Sequence, residues 1–282
     1  MFINKKLLFG AAALGTLATP ALAQDNDPAR TTFDGVYVAG SVGLSTHAGS
    51  GANTVVFDNG QNGSFGDTVV TSTGANAFSP GFCKGSSTLN SNAVTPCTKD
   101  NDDIEYAGRI GVDKRFGSIV GGVLVEGSKN QSTESTTAFS TTPAGYSFTR
   151  GIDYAISARA RLGISPGDGR GLIYATGGGS YARVDHDFTT TNTANSFTPN
   201  NDGKMVWGWQ AGGGAELMLT HSLSIGMEYL YNRYNDNKYS VGIGTGTAGA
   251  TNPFVLAGGV NARPSDTRYD FHTFRATVGF HF

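Results

Sequence analysis

Polar and apolar positions alternate with period two along most of the chain. From Ile104 the apolar positions are Ile104, Tyr106, Gly108, Ile110 and Val112, with Glu105, Ala107, Arg109, Gly111 and Asp113 between them. One face is apolar and the other ionised, as in an extended strand, whose successive side chains point to opposite sides. The same pattern sets Ile152, Tyr154, Ile156, Ala158, Ala160, Leu162 and Ile164 against Asp153, Ala155, Ser157, Arg159, Arg161 and Gly163. Trp207, Trp209, Ala211, Gly213, Ala215 and Leu217 alternate with Gly208, Gln210, Gly212, Gly214 and Glu216. Leu223, Ile225, Met227, Tyr229 and Tyr231 alternate with Ser224, Gly226, Glu228, Leu230 and Asn232. Soluble strands usually run to about 5–6 residues, whereas a tilted membrane strand needs about 9–11. These segments have the membrane length.

Eight such segments are expected, at about 33–47, 102–115, 117–130, 149–164, 171–186, 204–219, 222–236 and 266–282. In the fifth, Gly177-Gly178-Gly179 blurs the phase, and its outer face is left open. The connections alternate in length. Short ones lie around Phe116-Gly117-Ser118, at Pro166 to Arg170 and at Thr220-His221; long ones cover about 48–101, 131–148, 187–203 and 237–265. Short turns on one rim and long loops on the other are the arrangement of outer-membrane barrels, with the short turns periplasmic. The expected fold is therefore all-β: an eight-stranded antiparallel up-and-down transmembrane β-barrel with long extracellular loops and short periplasmic turns.

Aromatic placement agrees with this orientation. Tyr106, Tyr154, Trp207, Tyr229 and Tyr231 fall on apolar faces at the ends next to the long loops, and Phe280 and Phe282 supply the opposite rim. Such aromatic girdles mark the two membrane interfaces. A soluble lipocalin-like barrel would turn its apolar face inward, and periodicity alone does not say which face is which. Strand length, girdle and loop asymmetry favour the membrane reading.

Composition and charge narrow the functional classes. Lys5 and Lys6, an apolar stretch over Leu7 to Leu17 and the small-x-small Ala21-Leu22-Ala23 read as a signal peptide of residues 1–23. Residues 24–32 then form a short periplasmic segment and 33–282 the barrel domain. The apolar stretch is shorter than the roughly 20 residues of a membrane helix. With 20 Lys plus Arg against 22 Asp plus Glu, the net charge is -2. No basic field of the kind that nucleic-acid binding needs is present.

The last segment alternates Phe274, Ala276, Val278, Phe280 and Phe282 to the final residue. This resembles the C-terminal signal read by the bacterial barrel assembly machinery. With Gly35-Val36-Tyr37-Val38-Ala39-Gly40 opening strand one and Ala175-Thr176-Gly177-Gly178 in strand five, the chain resembles the OmpA-like barrel superfamily. Within it, the likeness is to the small alphaproteobacterial porin-family or immunogenic outer-membrane proteins. The resemblance implies residence in the outer membrane of a Gram-negative bacterium, contact with its lipid and lipopolysaccharide, and handling by the assembly machinery during biogenesis. Because the sequence stops at the barrel, a peptidoglycan-binding domain is not expected.

Candidate chemistry is sparse. Cys83 and Cys97 share the first long loop of an exported chain, so a disulfide is expected in preference to two free thiols. It would close a ring of about 15 residues, worth roughly 3 kcal/mol in the chain-entropy model. The ionised face collects Glu105, Arg109, Asp113, Glu126, Asp153, Arg159, Arg161, Glu216, Glu228 and Arg275. These form either a gate or a polar plug, and an eight-stranded interior is only wide enough for side chains to fill. The near balance of sign argues against strong ion selectivity. Among the histidines, His186 lies between Asp185 and Asp187 and is weighed as a weak metal or haem ligand against a solvated rim residue. No nucleophile, base and orienting acid recur at a recognisable spacing, and Gly212-Gly213-Gly214 lacks the strand-to-helix context of a phosphate loop. No catalytic, cofactor or metal residue is assigned. The Asn-, Thr-, Ser- and Gly-rich loops, such as Thr189 to Thr193 and Gly242 to Gly246, serve either as contact surface or as hydrated tips.

The expected role is an integral outer-membrane barrel with an envelope-structural and surface-contact function, no catalysis, and a possible partner met through the loops. The alternative is a narrow porin-like passive channel for small solutes or ions, and a third class is a lipid-active barrel enzyme. Intact-mass measurement of the protein extracted from outer membranes checks the first step of this reading. The expected chain begins at Gln24, and a retained Met1 overturns the signal assignment.

Overall fold

A computed structural model describes residues 32–47, 54–86, 97–167 and 169–282. The expected signal peptide, residues 24–31 and Asp168 lie outside the described residues. Eight long strands make the barrel: β1 (Gly35–His47), β4 (Asp103–Phe116), β5 (Ile119–Asn130), β7 (Ala144–Ile164), β8 (Gly171–Thr190), β10 (Lys204–Met218), β11 (Leu223–Asn235) and β14 (Arg268–His281). Six short ones lie in the long connections: β2 (Val55–Asn59), β3 (Gly81–Lys84), β6 (Thr133–Ser140), β9 (Ser196–Asn200), β12 (Ser240–Gly244) and β13 (Val260–Pro264). A one-turn helix, α1 (Pro253–Leu256), has Asn252 as its N-cap.

Each barrel strand pairs antiparallel with the next along the chain, and β14 returns to β1 with register Tyr37 opposite His281 and His47 opposite Phe271. The ring is closed, so no edge strand is left unpaired in the membrane. Most strand ends fall within two residues of the sequence expectation. The exceptions are β7, which starts at Ala144, and β8, which runs on to Thr190.

The outer surface carries the apolar face. Val42, Leu44, Ile110, Val123, Ile156, Leu162, Ile173, Met227 and Phe274 are all exposed, while the charged positions between them are buried. Apolar side chains outside and ions inside reverse the soluble-barrel arrangement. Tyr106, Tyr154, Trp207 and Tyr229 are exposed at the long-loop end, and Phe280 and Phe282 at the other. The open phase of the fifth segment resolves: Leu172, Tyr174, Thr176 and Ser180 point in, and Ile173 and Tyr181 point out. Both of its faces carry large apolar residues, which is why alternation in polarity did not show there.

One placement is corrected. Asp153 does not join the lumen. The register of β7 on β8 shifts between Ile152 and Tyr154, a β-bulge with Asp153 as the extra residue. An added residue breaks the alternation and re-aims its side chain. Ile152 is thereby buried inside, Tyr154 stays outside, and Asp153 pairs on the outer face with Lys129 at 2.8 Å.

The long connections fold together above the barrel. β6 extends the wall by pairing with the first half of β7, and β3 pairs with β6. β2, β13, β12 and β9 form a separate four-stranded sheet. Phe57, Val69, Phe78, Tyr146, Phe148, Val241, Ile243, Phe254 and Val260 are buried in one core between these elements. The Cys83–Cys97 disulfide is formed, with the Cα atoms 6.3 Å apart, and ties β3 to the segment after it.

Glycine makes room inside the barrel where a large side chain turns inward. A Cβ built on Gly111 would lie 2.6 Å from the Tyr37 ring, whereas one on lipid-facing Gly40 would meet nothing within 4 Å. Gly111→Leu is expected to lower stability by about 1–3 kcal/mol through overpacking, and Gly40→Ala to leave it unchanged. Urea unfolding in lipid vesicles, followed by tryptophan fluorescence, measures both; equal effects would contradict the packing account.

Candidate functional site

The nine remaining inward ions come from six of the eight barrel strands. β4 supplies Glu105, Arg109 and Asp113, β5 Glu126, β7 Arg159 and Arg161, β10 Glu216, β11 Glu228 and β14 Arg275. Each side chain is at least nine-tenths buried. An isolated buried charge is strongly disfavoured, and every one of these finds a partner across the lumen.

Glu228 is the hub. It accepts from Arg109 at 2.9 Å, from Arg159 at 3.2 Å, from Arg275 Nε at 3.0 Å and from the Tyr174 hydroxyl at 2.8 Å. Arg159 also donates to Glu126 at 2.8 Å, and Arg275 reaches Glu126 at 2.6 Å and Glu105 at 3.1 Å. Towards the short-turn end lies a second group. Arg161 donates to both oxygens of Asp113 and, at 3.1 Å, to Glu216, with its guanidinium 4.3 Å from the centre of the Tyr37 ring. Ser224 donates to Glu216 at 2.5 Å, and a ring nitrogen of His281 lies 3.1 Å from the same carboxylate.

Apolar layers bracket the ions. Phe33, Val120, Leu172, Tyr174 and Met218 pack at the short-turn end. On the opposite side Ile152, Ala155, Ala182, Val184, Val206, Tyr234, Tyr269 and Phe271 form another layer. The sequence reading missed these inward apolar residues. Their only signal is phase: Tyr37 sits on the same inward alternation as Ser41 and Ser45, and Tyr234 on that of Glu228 and Asn232.

A third ionic group lies beyond the upper apolar layer. Arg150 donates to Glu134 at 2.9 Å and to the carbonyl oxygens of Asp266 and Arg268 at 3.1 and 2.8 Å. His186 lies with Nε2 2.8 Å from Asp236 and Nδ1 3.3 Å from Asp202, its ring stacked 3.7 Å from that of Tyr239. Burial pushes the Asp236 carboxyl up, but the hydrogen bond and charge of His186, with the charge of Arg150, hold it below the usual range. The sequence neighbours Asp185 and Asp187 are not its partners: on an extended strand they point to the other face, where Asp185 pairs with Arg183. Among the described residues no group of three or more His, Cys, Asp or Glu side chains is placed to hold a metal ion.

On β14, Phe274, Ala276, Val278 and Phe280 face outward in sequence, and Phe282 follows exposed. They form one lipid-facing stripe on the strand that closes the barrel against β1.

No family model and no curated protein sequence matches the chain. Solved structures do. The outer-membrane protein OprG of Pseudomonas aeruginosa is 11% identical, with a TM-score of 0.51 over 89% of this chain and 99% of that one. Neisserial surface protein A is 12% identical, with a TM-score of 0.34 over 88% and 98%. The outer-membrane protease OmpT of Escherichia coli is 11% identical, with a TM-score of 0.37 over 90% and 98%. At these identities the likeness is one of fold. The OprG match, with the closed ring and the apolar outer band, makes this a β-barrel of the Gram-negative outer-membrane type.

The hub is the most sensitive point of the lumen. Glu228→Ala leaves Arg109 without a carboxylate partner among the described residues and removes one from Arg159 and Arg275. Breaking one side of a buried ion pair costs about 3–5 kcal/mol. The urea midpoint of the vesicle-embedded barrel should fall accordingly, with Lys114→Ala, which loses only an exposed pair with Asp34, nearly neutral. Equal midpoints for Glu228→Ala and wild type would sink the hub assignment.

Proposed function

We propose that the protein is an integral outer-membrane barrel with an envelope-structural role and a surface-contact role played by its long connections, without catalysis. The observation that carries this reading is the interlocked lumen. Arg159, Glu126 and Glu228 have side chains with at most 1% of their surface exposed, at the level where a conducting path would need water. Glu228 would have to release three guanidiniums together to open one.

The surface half of the proposal is supported by the cap. Where loose tips would offer only a shifting surface, these connections share one buried core and present a shaped one. Residues 1–23 act as an export signal, 24–32 as a short periplasmic lead, and the Phe274 to Phe282 stripe as the assembly signal in this reading. The partners are outer-membrane lipid and lipopolysaccharide at the aromatic girdle, the assembly machinery during biogenesis, and a surface partner at the cap. Kinship with the small alphaproteobacterial porin-family proteins belongs to the same proposal and rests on the motifs of strands one and five and the final Phe.

The competing reading is a narrow passive channel. Planar-bilayer recording of the purified protein, with an Arg159→Ala/Glu216→Ala double variant alongside, separates the two. The expected result is no unitary conductance from wild-type protein shown to be folded by heat-modifiable gel mobility. Reproducible steps whose size changes in the double variant would replace this reading with a charge-lined pore.

A further inference from the structure

His47 ends β1 at the upper rim, in a place none of the preceding chemistry uses. Val42 is level with Tyr106 of the outer aromatic girdle, and His47 lies five residues further along the strand, beyond the membrane-facing stretch. There β4 no longer accompanies β1, and the cross-strand partner is Phe271 of β14. The imidazole is 4% exposed, yet one of its nitrogens has no partner.

Nε2 lies 3.0 Å from the Tyr269 hydroxyl, which donates its own proton to the Ser132 carbonyl oxygen at 3.3 Å. The phenol oxygen is therefore the acceptor towards the ring, and Nε2 carries the hydrogen. Nδ1 is left bare, without a hydrogen bond among the described residues. A neutral imidazole has one N–H and one lone pair, so the site fits the uncharged ring. A second proton would sit on Nδ1, where the Asp102 carboxylate oxygen is 3.9 Å away, beyond hydrogen-bond reach.

Charged groups face the ring from several elements. The end of the first long connection brings Asp100 and Asp102, β6 brings Glu134 and β3 brings Lys84. Arg150 of β7 lies 5.2 Å from the centre of the Tyr269 ring, while on β14 Asp270 and His272 point to the outer face. Most of these are engaged elsewhere: Asp100 with Lys84 at 3.4 Å and the Ser135 amide at 3.0 Å, and Glu134 with Arg150 at 2.9 Å. Asp102 is the carboxylate able to answer a charge on the ring. Its side chain is 62% exposed, and it accepts from the His47 backbone N–H at 3.3 Å. Burial pushes the His47 ring below the ordinary histidine value, against the pull of Glu134, Asp100 and Asp102. A ring that takes its second proton less readily in the fold than outside it stabilises the fold fully above the ordinary value, about pH 6.5. That contribution is lost as pH falls through the lowered value, so acid favours opening.

We propose that His47 is an acid-operated release for the end of the first long connection. Uncharged, the ring stays seated against Tyr269, with the ring centres 5.5 Å apart, and its backbone N–H holds Asp102. Charged, it leaves that seat to pair with Asp102 at the exposed rim, and residues 100–102 lose their support. The remaining ties of this segment to β6 are the Asn101–Thr133 bridge and the Asp100–Ser135 hydrogen bond. The device goes beyond the surface-contact reading: it governs how firmly the cap is held, whatever the cap meets.

Hydrogen–deuterium exchange of the full-length protein in lipid nanodiscs, at about pH 7.5 and about pH 5.5, brackets the histidine range. Each rate is corrected for the pH dependence of the chemical exchange step. Residues 98–104 should open about three- to tenfold more often at the lower pH, since one proton changes an opening constant at most about tenfold per pH unit. Residues 120–127 of β5, within the membrane, should show no such change. His47→Gln keeps an N–H for Tyr269 but takes no second proton, and it should remove the pH dependence. A direct measurement keeps the test valid if that variant folds poorly: the ring resonances of His47 in histidine-labelled protein, identified by their contact with the Tyr269 ring, should titrate below about pH 6.5. Asp102→Asn removes the acceptor for the charged ring and should move both responses to lower pH. A His47 midpoint at or above the ordinary value, acid-induced opening that persists in His47→Gln, or equal exchange of residues 98–104 at the two pH values overturns the proposal.

Discussion

A strand facing hydrocarbon has no water for its amides, so the hydrogen-bonded closure of β14 on β1 governs everything else in this barrel. Closure at eight strands sets a lumen that side chains can fill. The inward alternation places ions in that narrow space, and ions there must find one another. Five carboxylates meet four guanidiniums, with a ring nitrogen of His281 beside Glu216. Inward tyrosines need space as well, which explains why Tyr37 faces Gly111 and Tyr234 faces Gly208, where a Cβ would come within 2.3 Å of the ring.

The barrel was legible because lipid outside and ions inside produce a contrast in polarity that period-two reading detects. Of the ten charges expected inside, nine are buried there. The tenth, Asp153, was lost because a bulge adds a residue without changing the composition of the run. The inward Leu172 and Tyr174 were illegible because both faces are apolar there, so alternation of polarity stops. Val184 and Phe271 lie where the contrast is reversed, with Arg183 and Asp185 or Asp270 and His272 on the outer side. The cap strands were read as loops because Val55 and Phe57, Val241 and Ile243, and Val260 and Ala262 alternate over only three residues each, among Gly, Asn and Thr.

The bulge in β7 has a physical meaning beyond its own residue. Below it, the strand turns Ile156, Leu162 and Ile164 outward to lipid and Arg159 and Arg161 inward. Above it, Ile152, Phe148 and Tyr146 are inside, and the other face carries Gly145, Ser147, Thr149 and Gly151, small or polar residues. A one-residue shift carries a whole side-chain set to the other face, so Asp153 stands where the outer face of β7 changes from large apolar to small and polar residues. β8 meets the same boundary without a bulge, by changing composition: its outer face passes from Ile173 and Tyr181 to Arg183 and Asp185.

This boundary divides the molecule energetically. Within the membrane, the lumen ions are coupled through shared partners: moving Glu228 disturbs Arg109, Arg159 and Arg275, and through them Glu126 and Glu105. A network in which each ion depends on several others opposes piecemeal opening, since each intermediate would hold an unpaired buried charge. Above the membrane, the Arg150, Asp236 and His186 group anchors strands β7, β8 and the end of β11 beneath the cap. In the proposed reading the barrel is a pedestal for the cap, whose shaped surface does not require the lumen to move.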